Sequence, residues 1–169
     1  MIIRQETPED FSRIFELVKV AFQTAKVSNG KEQDFVNQLR AGENYIPELA
    51  LIAEEDGQII GHIMLTEAHV VEGEDRFSAL LLAPLSVALD HRKKGVGSQL
   101  VKESFYLSRE MGYTAVLVVG DPDYYSRFGF YRASSFGIKP THSLPDESVM
   151  ACELVPGALR KVKGVADCF

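Results

Sequence analysis

Residues 79–89 read Ala-Leu-Leu-Leu-Ala-Pro-Leu-Ser-Val-Ala-Leu, eleven positions with no charge and a single hydroxyl. Water excludes such a run, so it must be covered on both faces. It is far too short to cross a bilayer as a helix, and Pro84 would interrupt a helix in its middle. A central strand is the reading that remains, and we place it over residues 77–87. A strand buried on both faces needs paired neighbours and helices packed over it. This run therefore predicts a layered domain around one core.

The rest of the chain supplies those layers. Ile2 and Ile3 begin a short strand. Thr7, Pro8, Glu9 and Asp10 have the make-up of a helix start, with a hydroxyl cap, a proline at the first helical position and acids in the first turn. Phe11, Ile14, Phe15, Val18 and Phe22 then share one helix face and are assigned to the core. A second short helix is expected over residues 31–41, ended by Gly42. Residues 49–54 and 58–70 flank Glu55-Asp56-Gly57, a tight-turn signal, and read as an antiparallel hairpin. A helix over 95–111, a strand over 114–119, a short helix over 122–128, extended chain over 130–138, a loop over 140–145 and a last strand over 149–155 complete the order. No repeat, linker or low-complexity tract interrupts it, and 169 residues suit one domain, so residues 1–169 are taken as a single unit. The order predicts an α/β (α+β) fold with a mixed sheet.

Charge and cysteine content exclude several functions. The net charge is -6 and the pI about 5.2, against the basic footprint that a general nucleic-acid binder needs. The N-terminal MIIRQETPEDF carries charges where a signal peptide is apolar. A soluble, cytoplasmic protein without a membrane partner is expected. Cys152 and Cys168 form no paired-ligand pattern with each other or with the histidines, so neither a disulfide scaffold nor a structural metal site is expected.

One turn departs from the acidic background. After the apolar strand come Asp90-His91-Arg92-Lys93-Lys94-Gly95-Val96-Gly97-Ser98, leading into a helix. A helix start offers unpaired N–H groups and positive potential, glycines let a ligand approach that backbone, and three adjacent cations add charge. The combination suits a diphosphate. It is not a Walker loop, since no GxxxxGK string occurs, and Leu100 stands where a dinucleotide fingerprint needs its third glycine. The spacing that fits is Arg-x-x-Gly-x-Gly, from Arg92 through Gly95 to Gly97.

That spacing resembles the acyl-CoA loop of the GNAT superfamily of N-acetyltransferases. A second segment, Tyr124-Tyr125-Ser126-Arg127-Phe128-Gly129-Phe130, is similar to the family's aromatic-Tyr-x-x-x-Gly-Phe stretch. Arg-Phe-Gly-Phe and a late Glu-Leu-x-Pro-Gly-Ala-Leu, here residues 153–159, point to a bacterial branch of predicted N-acetyltransferases. Asp121-Pro122 departs from the Asn that many members carry in this loop. The resemblance implies a mostly antiparallel central sheet of about seven strands with about four helices and a splayed parallel strand pair.

The resemblance also implies the chemistry. Acetyl-CoA is the expected donor, without a metal, and a small-molecule or peptide amine the expected acceptor, attacking directly in a ternary complex of a monomer or homodimer. Leu85, Ser86 and Val87 would pair with the pantetheine arm. Arg92, Lys93, Lys94, Gly95, Val96, Gly97 and Ser98 would hold the diphosphate. Tyr125 is the candidate for protonating the leaving thiolate, and Glu67 the candidate base acting through water. Residues 24–30 and 140–145 would border the acceptor. Two other readings compete: a nucleotide-dependent transferase using the same turn, and a non-catalytic acyl-CoA sensor.

Overall fold

A computed structural model describes residues 1–26, 28–140 and 144–167. It holds a mixed, mostly antiparallel nine-stranded sheet in the order β1-β2-β3-β4-β5-β8-β6, with β7 and β9 paired off this path. The strands are β1 (Ile2–Gln5), β2 (Tyr45–Glu55), β3 (Gln58–Glu72), β4 (Asp75–Val87), β5 (Ala115–Val119), β6 (Phe130–Arg132), β7 (Ile138–Lys139), β8 (Val149–Glu153) and β9 (Gly164–Asp167). The α-helices among the described residues are α1 (Phe11–Phe22), α2 (Glu32–Ala41), α3 (Val96–Glu110) and α4 (Pro122–Tyr125). Two compact units make up the chain, one of Met1–Thr66 with Ala83–Leu107 and one of Glu67–Leu82 with the residues from Ser108 onward.

In the first unit the hairpin turn forms as its residues dictate. Asp56 and Gly57 both take positive φ, 52° and 76°, the backbone that a two-residue hairpin requires. β2 begins earlier than expected, at Tyr45, and its register against β3 breaks between Tyr45 and Ala50. Pro47, which has no N–H to give a ladder, lies in that irregular stretch. Ile14 and Val18 of α1 and Val36 of α2 pack with Ala50, Ile52 and Met64 as one buried cluster. Val96, Leu100 and Val101 of α3 are buried too. Gly61 is what lets α3 come so close to β3: a Cβ there would stand 2.9 Å from both Leu100 Cδ1 and Val96 Cγ1.

A buried ionic cluster joins β1, α2 and the hairpin. Glu6 accepts from Arg40 Nε at 2.8 Å, Arg40 Nη2 at 3.0 Å and the Tyr45 hydroxyl at 2.8 Å. His62 Nε2 lies 2.9 Å from its other oxygen. Burial opposes its charge, but these partners outweigh it and hold the carboxyl down at about 2. Burial keeps His62 neutral by pushing its pKa down. At the start of α1, Asp10 accepts from the Thr7 amide at 2.8 Å and is gripped by Arg4 at 2.8 Å.

In the second unit β5 is buried between parallel β4, in register from Leu80↔Val116 to Leu82↔Val118, and antiparallel β8. The expected extended stretch over 130–138 is broken: β6 ends at Arg132, and Ala133–Phe136 form a 3-10 turn closed by Gly137 at φ 84°. β9 was not expected at all; it pairs with β3 and β7. The sheet thus has nine strands where about seven were expected. Residues 141–143 of the expected loop, Val27 and Cys168 lie outside the described residues.

Acid should reveal the ionic cluster. The unfolded chain protonates histidine below about pH 6.5 and glutamate below about 4.5, while the folded cluster resists both. Stability therefore falls as pH drops through this range and toward 2. Glu6→Gln, which leaves Arg40 and His62 buried without their partner, should cost about 3–5 kcal/mol at pH 7 in urea unfolding and flatten the acid limb.

Candidate active site

The basic turn is built on strained backbone. After a 3-10 turn at Leu89–His91, Lys93 takes φ 62° and Gly95 φ 85°. Left-handed residues of this kind turn successive N–H groups toward one concavity, the geometry of an anion nest. Glycine at 95 is required by its dihedral angle, and nothing lies within 4 Å of where its Cβ would be, so the backbone there is open to a ligand. The Gln99 amide bonds to the Gly95 carbonyl at 3.0 Å. The amides preceding it, those of Val96, Gly97 and Ser98, are the ones that an α-helix start leaves without intrahelical partners. Lys93 and Lys94 are exposed beside them.

Not every predicted residue points to this nest. Arg92 sends its guanidinium to α1, donating from Nη2 to the Ala21 carbonyl at 2.7 Å and from Nη1 to Thr24 Oγ1 at 2.9 Å. His91 is held by Asp90 at 2.9 Å and lies 3.4 Å from Glu55.

The end of β4 leads directly into the turn. The Ala88 amide bonds to the Ile60 carbonyl on β3 at 2.8 Å. The Ser86 carbonyl also faces β3, 3.4 Å from the Cβ position of Gly61. Strand alternation therefore turns the N–H and C=O groups of Leu85 and Val87 away from β3. Of the three residues predicted to offer backbone groups, Leu85 and Val87 can do so; Ser86 is directed to β3 instead.

In the second unit, Tyr125 ends α4. Asp121 caps that helix by accepting from the Asp123 amide at 3.0 Å. The Tyr125 ring lies over Gly120, where a Cβ would stand 2.5 Å from Cε2. It meets Tyr124 edge-on at 5.1 Å and Phe130 at 5.7 Å. Gly129 turns the chain back at φ 90°, which delivers Phe130 into the core under that ring. Burial, then the neighbouring Tyr124 and Asp121, push the Tyr125 pKa upward, so its hydroxyl stays protonated.

Glu67 is placed elsewhere. Its carboxylate accepts from the Tyr113 hydroxyl and lies 3.5 Å from His69. Burial and that carboxylate push Tyr113 up to about 12. Tyr113, the partner of Glu67, precedes β5, whereas Tyr125 follows it. Sequence reasoning missed Gly120 and Gly61 as well, whose need for glycine comes from partners distant in the fold or in the turn.

The chain is similar to known proteins. The acetyltransferase (GNAT) domain family matches residues 2–133. An uncharacterized N-acetyltransferase, YhbS, of Escherichia coli strain K12 is 33% identical over 168 residues, covering 99% of this chain and 95% of its own length. The crystal structure of YhbS in complex with CoA superposes with a TM-score of 0.88 at 30% identity, covering 99% of this chain and 89% of that one. A GNAT family acetyltransferase from Brucella melitensis in complex with acetyl-CoA follows at 0.79 and 28% identity, covering 99% of this chain and 95% of that one.

Gly120→Ala tests the aromatic arrangement. The added methyl overlaps the Tyr125 ring and should cost about 1–3 kcal/mol in thermal unfolding, as overpacking does. A change in the near-ultraviolet circular dichroism should accompany it, while the basic turn keeps its ligand affinity.

Proposed function

The chain belongs to the GNAT acetyltransferase family and is an N-acetyltransferase; from that premise we propose that acetyl-CoA is its donor and a primary amine its acceptor, joined in a ternary complex by direct attack. The open, left-handed turn at Lys93 and Gly95 ahead of α3 carries the proposal. There, helix-start amides, local cations and open space beside Gly95 coincide. The amides of Val96, Gly97 and Ser98, with Lys93 and Lys94, would hold the diphosphate. Leu85 and Val87 would pair with the pantetheine arm as a sheet edge pairs with an added strand. We take the whole chain as one catalytic domain, as the near-complete coverage of YhbS supports.

Acetyl-CoA supplies an activated thioester, so no protein nucleophile is needed. The Val87 N–H is suited to steadying negative charge on the carbonyl oxygen. The Tyr125 hydroxyl, kept protonated, is the proposed donor to the departing sulfur. Glu67, which accepts from the Tyr113 hydroxyl, remains the candidate base acting through water. The acceptor would be selected by residues 24–30 and 140–145.

Thermal shift and turnover test this reading. Acetyl-CoA at 100 times its dissociation constant should stabilise the protein by about 2.7 kcal/mol, and ATP or NAD should not. A shift with ATP alone would favour a nucleotide-dependent transferase. Thiol release across a panel of amines separates an enzyme from a sensor. Tyr125→Phe should lower kcat by about 100-fold with little change in acetyl-CoA affinity; unchanged turnover would remove Tyr125 from the reaction. Joint replacement of Lys93 and Lys94 by alanine should weaken acetyl-CoA binding and make it less sensitive to salt.

A further inference from the structure

Arg92 opens the acyl-CoA motif, yet its side chain serves a different element. The last carbonyls of α1 are left by the helix without intrahelical partners. The Val20 carbonyl takes the Gln23 amide at 3.2 Å and the Phe22 carbonyl takes the Ala25 amide at 3.3 Å, both local turns. The carbonyl between them, that of Ala21, takes Arg92 Nη2 across 71 positions of sequence at 2.7 Å. Arg92 Nη1 continues to Thr24 Oγ1 at 2.9 Å. One planar guanidinium thus fastens two points of the α1 exit, and its charge sits at the negative end of the α1 dipole. Beyond Thr24, the chain is tied forward to α2 instead: the Asn29 amide bonds to Glu32 at 3.1 Å and Ser28 to Glu32 at 2.8 Å.

We propose that Arg92 is a positioning residue that latches the donor-binding turn to the exit of α1, so that acetyl-CoA bound at the turn also stiffens the start of the stretch proposed to border the acceptor amine. The inference rests on the reading of that turn as the acetyl-CoA site. Its mechanical basis is short. Arg92 is bonded covalently to Lys93, and Lys93 and Gly95 are the left-handed residues that shape the nest. An anion on the nest fixes those dihedral angles, and with them the origin of the Arg92 side chain. A lysine at 92 would keep the charge but lose the fork that reaches two oxygens.

Amide hydrogen exchange of the full-length protein, with and without saturating acetyl-CoA, tests the latch. In the wild type, amides from Phe22 to Ala25 should gain protection on adding acetyl-CoA. In Arg92→Gln these amides should exchange about tenfold faster in the free protein, and acetyl-CoA should no longer protect them, while its dissociation constant changes by less than about twofold. Arg92→Lys should behave like Arg92→Gln, and Thr24→Val, which leaves the turn intact, should lose part of the protection. If Arg92→Gln weakens acetyl-CoA tenfold or more and leaves the α1 exit unchanged, Arg92 is a phosphate ligand and the latch is wrong. If acetyl-CoA gives no protection at the α1 exit of a wild type that binds it, Arg92 is only a helix cap and the coupling is wrong. A wild type that does not bind acetyl-CoA refutes the assignment of the turn itself; the coupling falls with it, whereas free-protein exchange in Arg92→Gln still shows whether the fastening exists.

Discussion

A strand inside a sheet must satisfy its backbone N–H and C=O groups on both sides, and that demand organises this molecule around β4. Leucines 80–82 meet it by pairing with β5. Ser86 and Ala88 turn to β3. Leu85 and Val87, alternating with them, turn their groups the other way. The strand that its apolar composition forces into the interior therefore has, at its end, backbone groups turned away from β3, the ones proposed to meet the donor. The chain leaves that strand through a turn whose own amides are also unpaired, because a helix begins there. The strand-end groups and the helix-start amides proposed to hold the donor are thus consecutive in sequence, and neither set depends on a specialised side chain.

This explains why the local turns were legible in the sequence and the long-range contacts were not. The basic turn, the hairpin at Asp56-Gly57 and the Gly129-Phe130 reversal are set by dihedral preferences of adjacent residues, and adjacent residues are what a sequence displays. Their positive φ values fall on Asp56 and on glycines 57, 95 and 129, with Lys93 the exception. The features that were missed join distant positions. Glu6 meets His62 across 56 positions, and Tyr113 claims Glu67 across 46. A glutamate on a strand has the same local signature whether it faces a substrate or a tyrosine. β9 escaped for a related reason. Gly164–Asp167 is short, only Ala166 in it is buried, and its pairing to β3 and β7 is decided by those strands rather than by any apolar alternation of its own.

The overall charge and the site have opposite signs, and both are informative. A net charge of -6 gives an anionic cosubstrate no long-range attraction overall, so local geometry has to draw it. Backbone amides suit that task because their partial charges are fixed in direction and need no counter-ion. Lys93 and Lys94 add a screened attraction that helps encounter more than it sets orientation. Arg92 shows that a cation within such a motif need not serve the ligand: the same positive charge is well used at the negative end of a neighbouring helix.

Burial of Tyr125 bears on whether it can act as an acid at all. In water a tyrosine, near 10, is a weaker acid than a thiol, near 8.5, and complete proton transfer to a thiolate is uphill by about 2 kcal/mol. Raising the tyrosine pKa by burial would appear to worsen the mismatch. Burial acts on thiols in the same sense, however. Cys152, in the same unit, is pushed up to about 11 chiefly by desolvation. A departing thiolate placed in comparably dry surroundings would become a stronger base as Tyr125 becomes a weaker acid, so the difference between them changes less than either value does. The same dryness strengthens a hydrogen bond from the phenol to the sulfur before any proton has moved. A neutral phenol is therefore suited to the donor role proposed for Tyr125, whose ring packs against Gly120 because that residue has no side chain.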